Sequence, residues 1–243
     1  MNYHAVLDMH THTIASGHAY CTLREMAKAA SEKGLKALGI TEHAPSMPGS
    51  CGRLYFHNLK VIPGELYGIR LFLGSEVNIV DFNGTVDLSD RELSNLDIVI
   101  ASLHTVCLKP GNREENTRAY VKAMENPYID VIGHPDDGRY EVDYPAVVEA
   151  AARFGKVLEL NNHSLEPDCL RRNAKENDTI LLELCREKRV PVLMGSDAHF
   201  DDRIAEFSEA RALLEEVGFP EELVLNRSVD ALLEKIRIGK RGK

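Results

Sequence analysis

A chain of 243 residues, 44% hydrophobic and 28% charged, has the composition of an ordinary globular protein and is long enough to bury a sizeable core. Its formal net charge of −9 makes it a poor non-specific partner for nucleic acid or an anionic membrane, and no apolar run approaches the roughly 18 residues needed to span a bilayer. The five cysteines are scattered without a CxxC pair, which argues against a disulfide framework or a thiolate zinc site, and the start MNYHAVLDMHTHT has no signal-peptide pattern, so the expected location is the reducing cytoplasm.

Along the chain, short Val/Ile/Leu-rich runs alternate with amphipathic ones. The runs predict strands over 5–10, 37–41, 70–75, 97–102, 130–133, 156–160 and 191–195, with little polar alternation, as in strands covered on both faces. Between them, apolar spacing predicts helices over 23–33 and 144–154, ended by Gly34 and Gly155, and over 178–188, 204–217 and 230–236. The basic tail 237–243 reads as a solvated end. No linker or repeat divides the chain, so a single domain over 1–243 is expected. Seven strands alternating with helices imply a parallel sheet, and a closed α/β barrel would bring its strand ends to one mouth.

Those strand ends carry the polar residues. They read DMHTH at 8–12, TEH at 41–43, GSE at 74–76, ASLH at 101–104, VIGH at 131–134, ELNNH at 159–163 and GSDAH at 195–199. Residues two apart on an extended strand face the same way, so His10 and His12 form a pincer, and the same rule predicts one for Asp197 and His199. Neutral imidazoles and carboxylates are good zinc ligands. Unpaired, the same groups would be costly to bury together, so the clustering points to bound cations. Spacing also offers His163, as a pocket-lining or turn-capping group, whereas His4 and His57 read as structural or solvent-facing.

Together with ASGHAY at 15–20, ITEHAP at 40–45, LGSEVNI at 73–79, VIGHP at 131–135 and LELNN at 158–162, these segments resemble the PHP (polymerase and histidinol phosphatase) superfamily, and most closely its stand-alone YcdX-type phosphatases, over nearly the whole chain. The resemblance implies a distorted (β/α)7 barrel, TIM-barrel-like, with three divalent metal ions at its mouth, Zn²⁺ first and Mn²⁺ or Fe²⁺ as alternatives. By that resemblance His10, His12, Glu76 and Asp197 bind the first ion. Glu76, His104 and His134 bind the second, with Glu76 bridging, and His18, His43 and His199 bind the third. His18 enters through the resemblance alone. Three such ions would bring the charge from −9 to about −3 and attract an anionic substrate locally.

The implied activity is phosphomonoester hydrolysis on a small phosphorylated substrate. The expected nucleophile is a hydroxide bridging the first two ions, with Asp197 or His199 as candidate proton donors. Arg139 and Arg203 are candidate phosphate contacts because an arginine fork suits phosphate. Asp8 is expected to fix the His10 tautomer, and Glu42 to point away from the site. A PHP nuclease acting on phosphodiesters and a histidinol phosphatase are the alternatives. A C–N-cleaving amidohydrolase is disfavoured by the His18/His43/His199 set. The natural substrate depends on the mouth loops 44–63, 105–117 and 161–178, and the oligomeric state, a homo-oligomer included, is open.

Overall fold

The computed structural model describes residues 3–236; the basic tail 237–243 lies outside the described residues. In chain order the strands are β1 (Leu7–Asp8), β2 (Ala37–His43), β3 (Glu65–Leu66), β4 (Ile69–Asn78), β5 (Val99–Ser102), β6 (Val131–Ile132), β7 (Val157–Asn161) and β8 (Val192–Gly195). Seven of them pair in parallel in the order β1-β2-β4-β5-β6-β7-β8, and the short β3 pairs antiparallel with β4. The predicted seven-strand parallel sheet is therefore observed, curled into a nearly closed barrel. Its outer face packs against helices α1 (Leu23–Glu32), α2 (Arg53–Asn58), α3 (Asp90–Leu93), α4 (Arg113–Met124), α5 (Tyr144–Phe154), α6 (Ala174–Lys188) and α7 (Ser208–Val217), and α8 (Val229–Leu233) follows them.

Local chemistry sets several boundaries. Thr22 and Glu25 form a capping box at the start of α1, and Asp143 caps α5, whose end is Gly155 in the left-handed conformation. Helix α4 is missing from the pattern-based reading because its first turns are polar. Asn116 and Thr117 are buried there, with Asn116 bonded to Gly111 and Glu141 backbone. Its start was nonetheless written in the capping box Asn112–Glu115. The supposed loops 44–63, 105–117 and 161–178 thus contain α2 and the starts of α4 and α6.

Two cores flank the sheet. One lies between strands and helices. The other fills the barrel with Leu7, Met9, Phe72, Ile98, Ile100 and Leu193 and is closed from below by Leu225, Leu232 and Ile236, around α8. No ladder joins β1 to β8. At the mouth, Asp197 N donates to His10 O and His12 N to Ala198 O, both at 2.9 Å. At the other end the buried Asn226 side chain does the joining: Oδ1 accepts Met194 N at 2.7 Å, and Nδ2 donates to Met194 O at 2.8 Å and Leu7 O at 3.2 Å.

On α6, Asp178 is fully buried and neither carboxylate oxygen has a hydrogen-bond partner. Burial first, then the Asp136 and Glu159 carboxylates, push it well above the usual range. A proton is thus bound more tightly in the folded chain than in the unfolded one. The resulting stability is full below pH ~4 and is lost as pH rises through the folded-state pKa. Asp178→Asn removes that loss, so its melting temperature should exceed that of the wild type by about 2–6 °C at pH 8, with the gain vanishing near pH 4. Equal melting curves at both pH values would refute this.

Candidate metal centre

The parallel ladder stacks strand ends side by side, with His43 of β2 in register with Glu76 of β4 and Glu76 in register with Ile100 of β5. Glu76 is the hub. Its Oε2 lies 3.5 Å from His10 Nε2, 3.6 Å from His12 Nε2 and 2.7 Å from His43 Nδ1. Its Oε1 lies 2.9 Å from His134 Nε2 and 3.2 Å from His104 Nε2. Asp197 Oδ1 lies 3.3 Å from His12 Nε2 and 3.6 Å from His10 Nε2. The expected His10/His12 pincer forms, with ring centroids 5.1 Å apart.

The Asp197/His199 pair arrives by another route. Asp197 has φ 56°, so the chain turns there and is not extended, and His199 Nδ1 donates to the Asp197 carbonyl at 2.8 Å. His134 also sits in the left-handed region at φ 29°. Such residues cost about 1–3 kcal/mol each and gather at functional sites.

Whether cations fit is a question of spacing and of unpaired atoms. Tetrahedral zinc with bonds of about 2.0–2.1 Å places its ligand atoms about 3.4 Å apart. His10 Nε2, His12 Nε2, Glu76 Oε2 and Asp197 Oδ1 show four cross-distances of 3.3–3.6 Å, too long for good hydrogen bonds and right for sharing an ion. Buried His10 Nε2 and His12 Nε2 lack a hydrogen-bond partner, and His43 Nδ1 and Glu76 Oε2, although 2.7 Å apart, are not aligned as a hydrogen bond. Each would cost about 1–3 kcal/mol if left so. Three overlapping groups bring ligand atoms within 4.8 Å: His10/His12/Glu76, His43/Glu76/His104 and His12/His43/His199. The residues therefore fit divalent cations held by nitrogen and oxygen. His18 is exposed and stacks on His43 and His199, with centroids 4.9 and 4.8 Å away.

The electrostatics follow the same division. Burial would raise Glu76 and Asp197, but neighbouring imidazoles, joined by Arg171 at Asp197, hold both carboxyls well below the ordinary range. Burial and neighbouring imidazoles push His12 well down and His18 to about 4, which favours the neutral, ligating form. For His10, burial works downward but Glu159, Asp197 and Glu76 outweigh it and hold the ring well above its usual value.

Several supporting groups were missed or misplaced. It is Glu159, not Asp8, that holds the His10 ring, with Oε1 2.5 Å from Nδ1 and Oε2 accepting His134 N at 2.7 Å. Gly195 is required there, since a Cβ would lie 2.0 Å from that carboxylate. Asp8 instead accepts the backbone N–H groups of His10, Ser196 and Ala205. Glu42 faces the loop and helix side, as expected, but it is fully buried there and clamps Thr13, Ser16 and Tyr55. Arg171 was not anticipated: its largely buried guanidinium donates to Asp197 Oδ2 at 2.9 Å, Ser164 Oγ and Asn161 Oδ1. Its only sequence signal was an arginine inside a mouth loop.

A cavity of about 240 Å³ opens beside Asp197 and His199, lined by Tyr20, His163, Glu166, Asp168, Phe200 and Arg203. His163 and Arg203 both pair with Glu166, at 3.0 and 2.9 Å. Arg139 lies near His134 in sequence and is locked on Asp137, with Nη2 2.6 Å from Oδ2. His4 is exposed and His57 pairs with Glu92 at 3.2 Å.

The PHP domain family model matches residues 8–167. A probable phosphatase of Caldicellulosiruptor saccharolyticus is 48% identical over 232 residues, covering 96% of each chain. A probable phosphatase of Caldanaerobacter subterraneus subsp. tengcongensis is 46% identical over 238 residues, 98% of this chain and 93% of the relative. Among solved structures, the histidinol phosphate phosphatase of Lactococcus lactis, complexed with zinc, L-histidinol and phosphate, superimposes with TM-score 0.63 at 21% identity, covering 89% of this chain and 95% of that one. A chain of an archaeal ribonuclease P complex with mature tRNA reaches TM-score 0.57 at 18% identity, covering 94% and 87%. At those identities the likeness is one of fold.

Proposed function

We propose, from the fact that this chain belongs to the PHP family and from the cluster at its barrel mouth, that the protein is a metal-dependent phosphatase hydrolysing small phosphomonoesters with three divalent ions, zinc foremost. The observation that carries this reading is the set of His10, His12, Glu76 and Asp197, whose four nitrogen–oxygen distances are 3.3–3.6 Å and whose two imidazole Nε2 atoms are buried without a hydrogen-bond partner. Glu76 Oε2 serves His10, His12 and His43, while Oε1 serves His104 and His134, so one carboxylate can bridge two ions. His43 and His199, with His18 stacked on both, form the side of the cluster assigned to the third ion. Ions bound there would lower the pKa of a water toward ~7 and neutralise phosphoryl oxygens.

The chain's own groups set the rest. Asp197 Oδ2 is taken by Arg171 and Asn161, so only Oδ1 faces the cluster. Held well below the usual carboxyl range, Asp197 suits a ligand and acceptor better than a proton donor. The His199 ring lies on the wall of the cavity, but its Nδ1 is spent on the Asp197 carbonyl and its other nitrogen on the ion, which leaves the leaving-group proton to water.

The cavity favours a small monoester over a nucleic acid. Glu166, Asp168 and Glu206 on its wall oppose a polyanion. Side-by-side turnover of p-nitrophenyl phosphate and a single-stranded oligonucleotide by the zinc-loaded protein, with histidinol phosphate in a wider phosphate-release screen, tests this. Faster cleavage of the oligonucleotide would replace the reading with a phosphodiesterase.

Arg203→Ala should raise KM about tenfold for the best phosphomonoester, through loss of a charge-assisted hydrogen bond of about 1.5 kcal/mol, whereas Arg139→Ala, whose guanidinium is held on Asp137 away from the cavity wall, should leave KM near the wild-type value. Wild-type KM in Arg203→Ala removes that arginine from substrate binding.

A further inference from the structure

Two of the cluster imidazoles are held by groups that can face either way. A hydroxyl both donates and accepts, and a carboxamide offers a donor on one side and an acceptor on the other. Neither, by itself, decides which ring nitrogen of a histidine carries hydrogen. In this fold each is made one-way by a carboxylate behind it.

Ser16 Oγ lies 3.1 Å from His12 Nδ1 and accepts the His43 backbone N–H at 3.0 Å. Its single proton goes to Glu42 Oε2 at 2.6 Å. Glu42 also receives the Thr13 N–H, the Thr13 hydroxyl and the Tyr55 hydroxyl, so it acts there as an acceptor. With that proton committed, Ser16 can meet His12 only by accepting. His12 Nδ1 therefore carries hydrogen, and Nε2 keeps the lone pair that faces Glu76 and Asp197.

Asn78 repeats the logic. Its Nδ2 lies 2.8 Å from Asp87 Oδ2 and 3.2 Å from Ala44 O, both acceptors, so the amide nitrogen belongs on that side. Asp87 is oriented by two backbone donors, Ser46 N at 2.8 Å and Asn78 N at 2.9 Å. Asn78 Oδ1 is thereby left for His104 Nδ1 at 2.8 Å, and His104 Nε2 is free to face Glu76 Oε1.

We propose that Glu42 and Asp87, each one intervening side chain away from a ligand ring, are positioning residues that fix the tautomers of His12 and His104 through Ser16 and Asn78 and so set the affinity of the cluster for divalent ions. This rests on the metal reading above. Outer-shell partners of ligand histidines typically change metal affinity 10- to 100-fold. Glu42→Gln and Asp87→Asn keep the shape of each side chain but put a donor where an acceptor stood. Ser16 and Asn78 are then released to turn around.

The test uses the full-length, zinc-loaded protein, with zinc stoichiometry and affinity measured by competition against a chromophoric chelator. Each variant should hold one ion about 10- to 100-fold more weakly than the wild type, the others being unchanged. Wild-type affinity for every ion in both variants overturns the proposal. A second measurement is independent of how the variants fold: two-bond 1H–15N correlations of 15N-histidine-labelled wild type should show hydrogen on Nδ1 and zinc on Nε2 of His12 and His104. Zinc on Nδ1 of either ring also overturns it. A wild-type chain that binds no zinc at all would instead refute the metal reading beneath it.

Discussion

Glu76→Gln should abolish tight binding of at least one ion and lower phosphatase kcat/KM by about 10³-fold or more. Both oxygens of this buried carboxylate are in use, Oε2 toward His10, His12 and His43 and Oε1 toward His104 and His134. Glutamine keeps one of them, turns the other into a donor aimed at ring nitrogens that must present lone pairs, and removes the charge that two ions would share. Elemental analysis of the purified variant beside the wild type reads the first effect, and steady-state kinetics the second. His163→Ala serves as the contrast. Its ring pairs with Glu166 on the cavity wall, so its metal content should stay at the wild-type value. A Glu76→Gln protein with full metal content and near-normal turnover would sink the bridging role.

Asn226→Ala should destabilise the fold by about 3–5 kcal/mol. It deletes three hydrogen bonds and strands Met194 N, Met194 O and Leu7 O at the seam where β1 and β8 do not pair directly. The loss also leaves a cavity between Leu7 and Met194, where the buried carboxamide sat. For a chain of this length the melting temperature should fall by about 10 °C. Asn226→Asp separates the contributions: it keeps an acceptor for Met194 N and loses both donors, so it should lie between the wild type and alanine. A fall of under 2 °C for Asn226→Ala would mean that the mouth-end bonds close the barrel unaided.

Much of this architecture is legible residue by residue. The apolar runs that became β2, β4, β5, β7 and β8 are recognisable because strands buried on both faces need no polar alternation. Gly155 marks a helix end through the left-handed conformation it alone adopts cheaply. The donor set is legible for the same reason, since His10, His12, His43, Glu76, His104, His134 and Asp197 each stand where a strand runs out. Where propensity and environment part company, the pattern fails. Helix α4 buries Asn116 and Thr117 against backbone partners, so its sequence looks like a loop. The rule of alternation that correctly pairs His10 with His12 does not apply at Asp197, whose left-handed backbone turns His199 back toward it.

The sequence by itself therefore determined the fold class, the barrel end that carries the chemistry and the chemical kinds of donor gathered there. Only the tertiary structure decided which atom of each donor faces inward. Glu159 meets His10 across 149 residues, Arg171 meets Asp197 across 26, and Asp87 reaches His104 through Asn78. The reason is physical: a side chain's ligand type is a property of the residue, whereas its tautomer, its free lone pair and its charge state belong to the hydrogen bonds that folding closes around it.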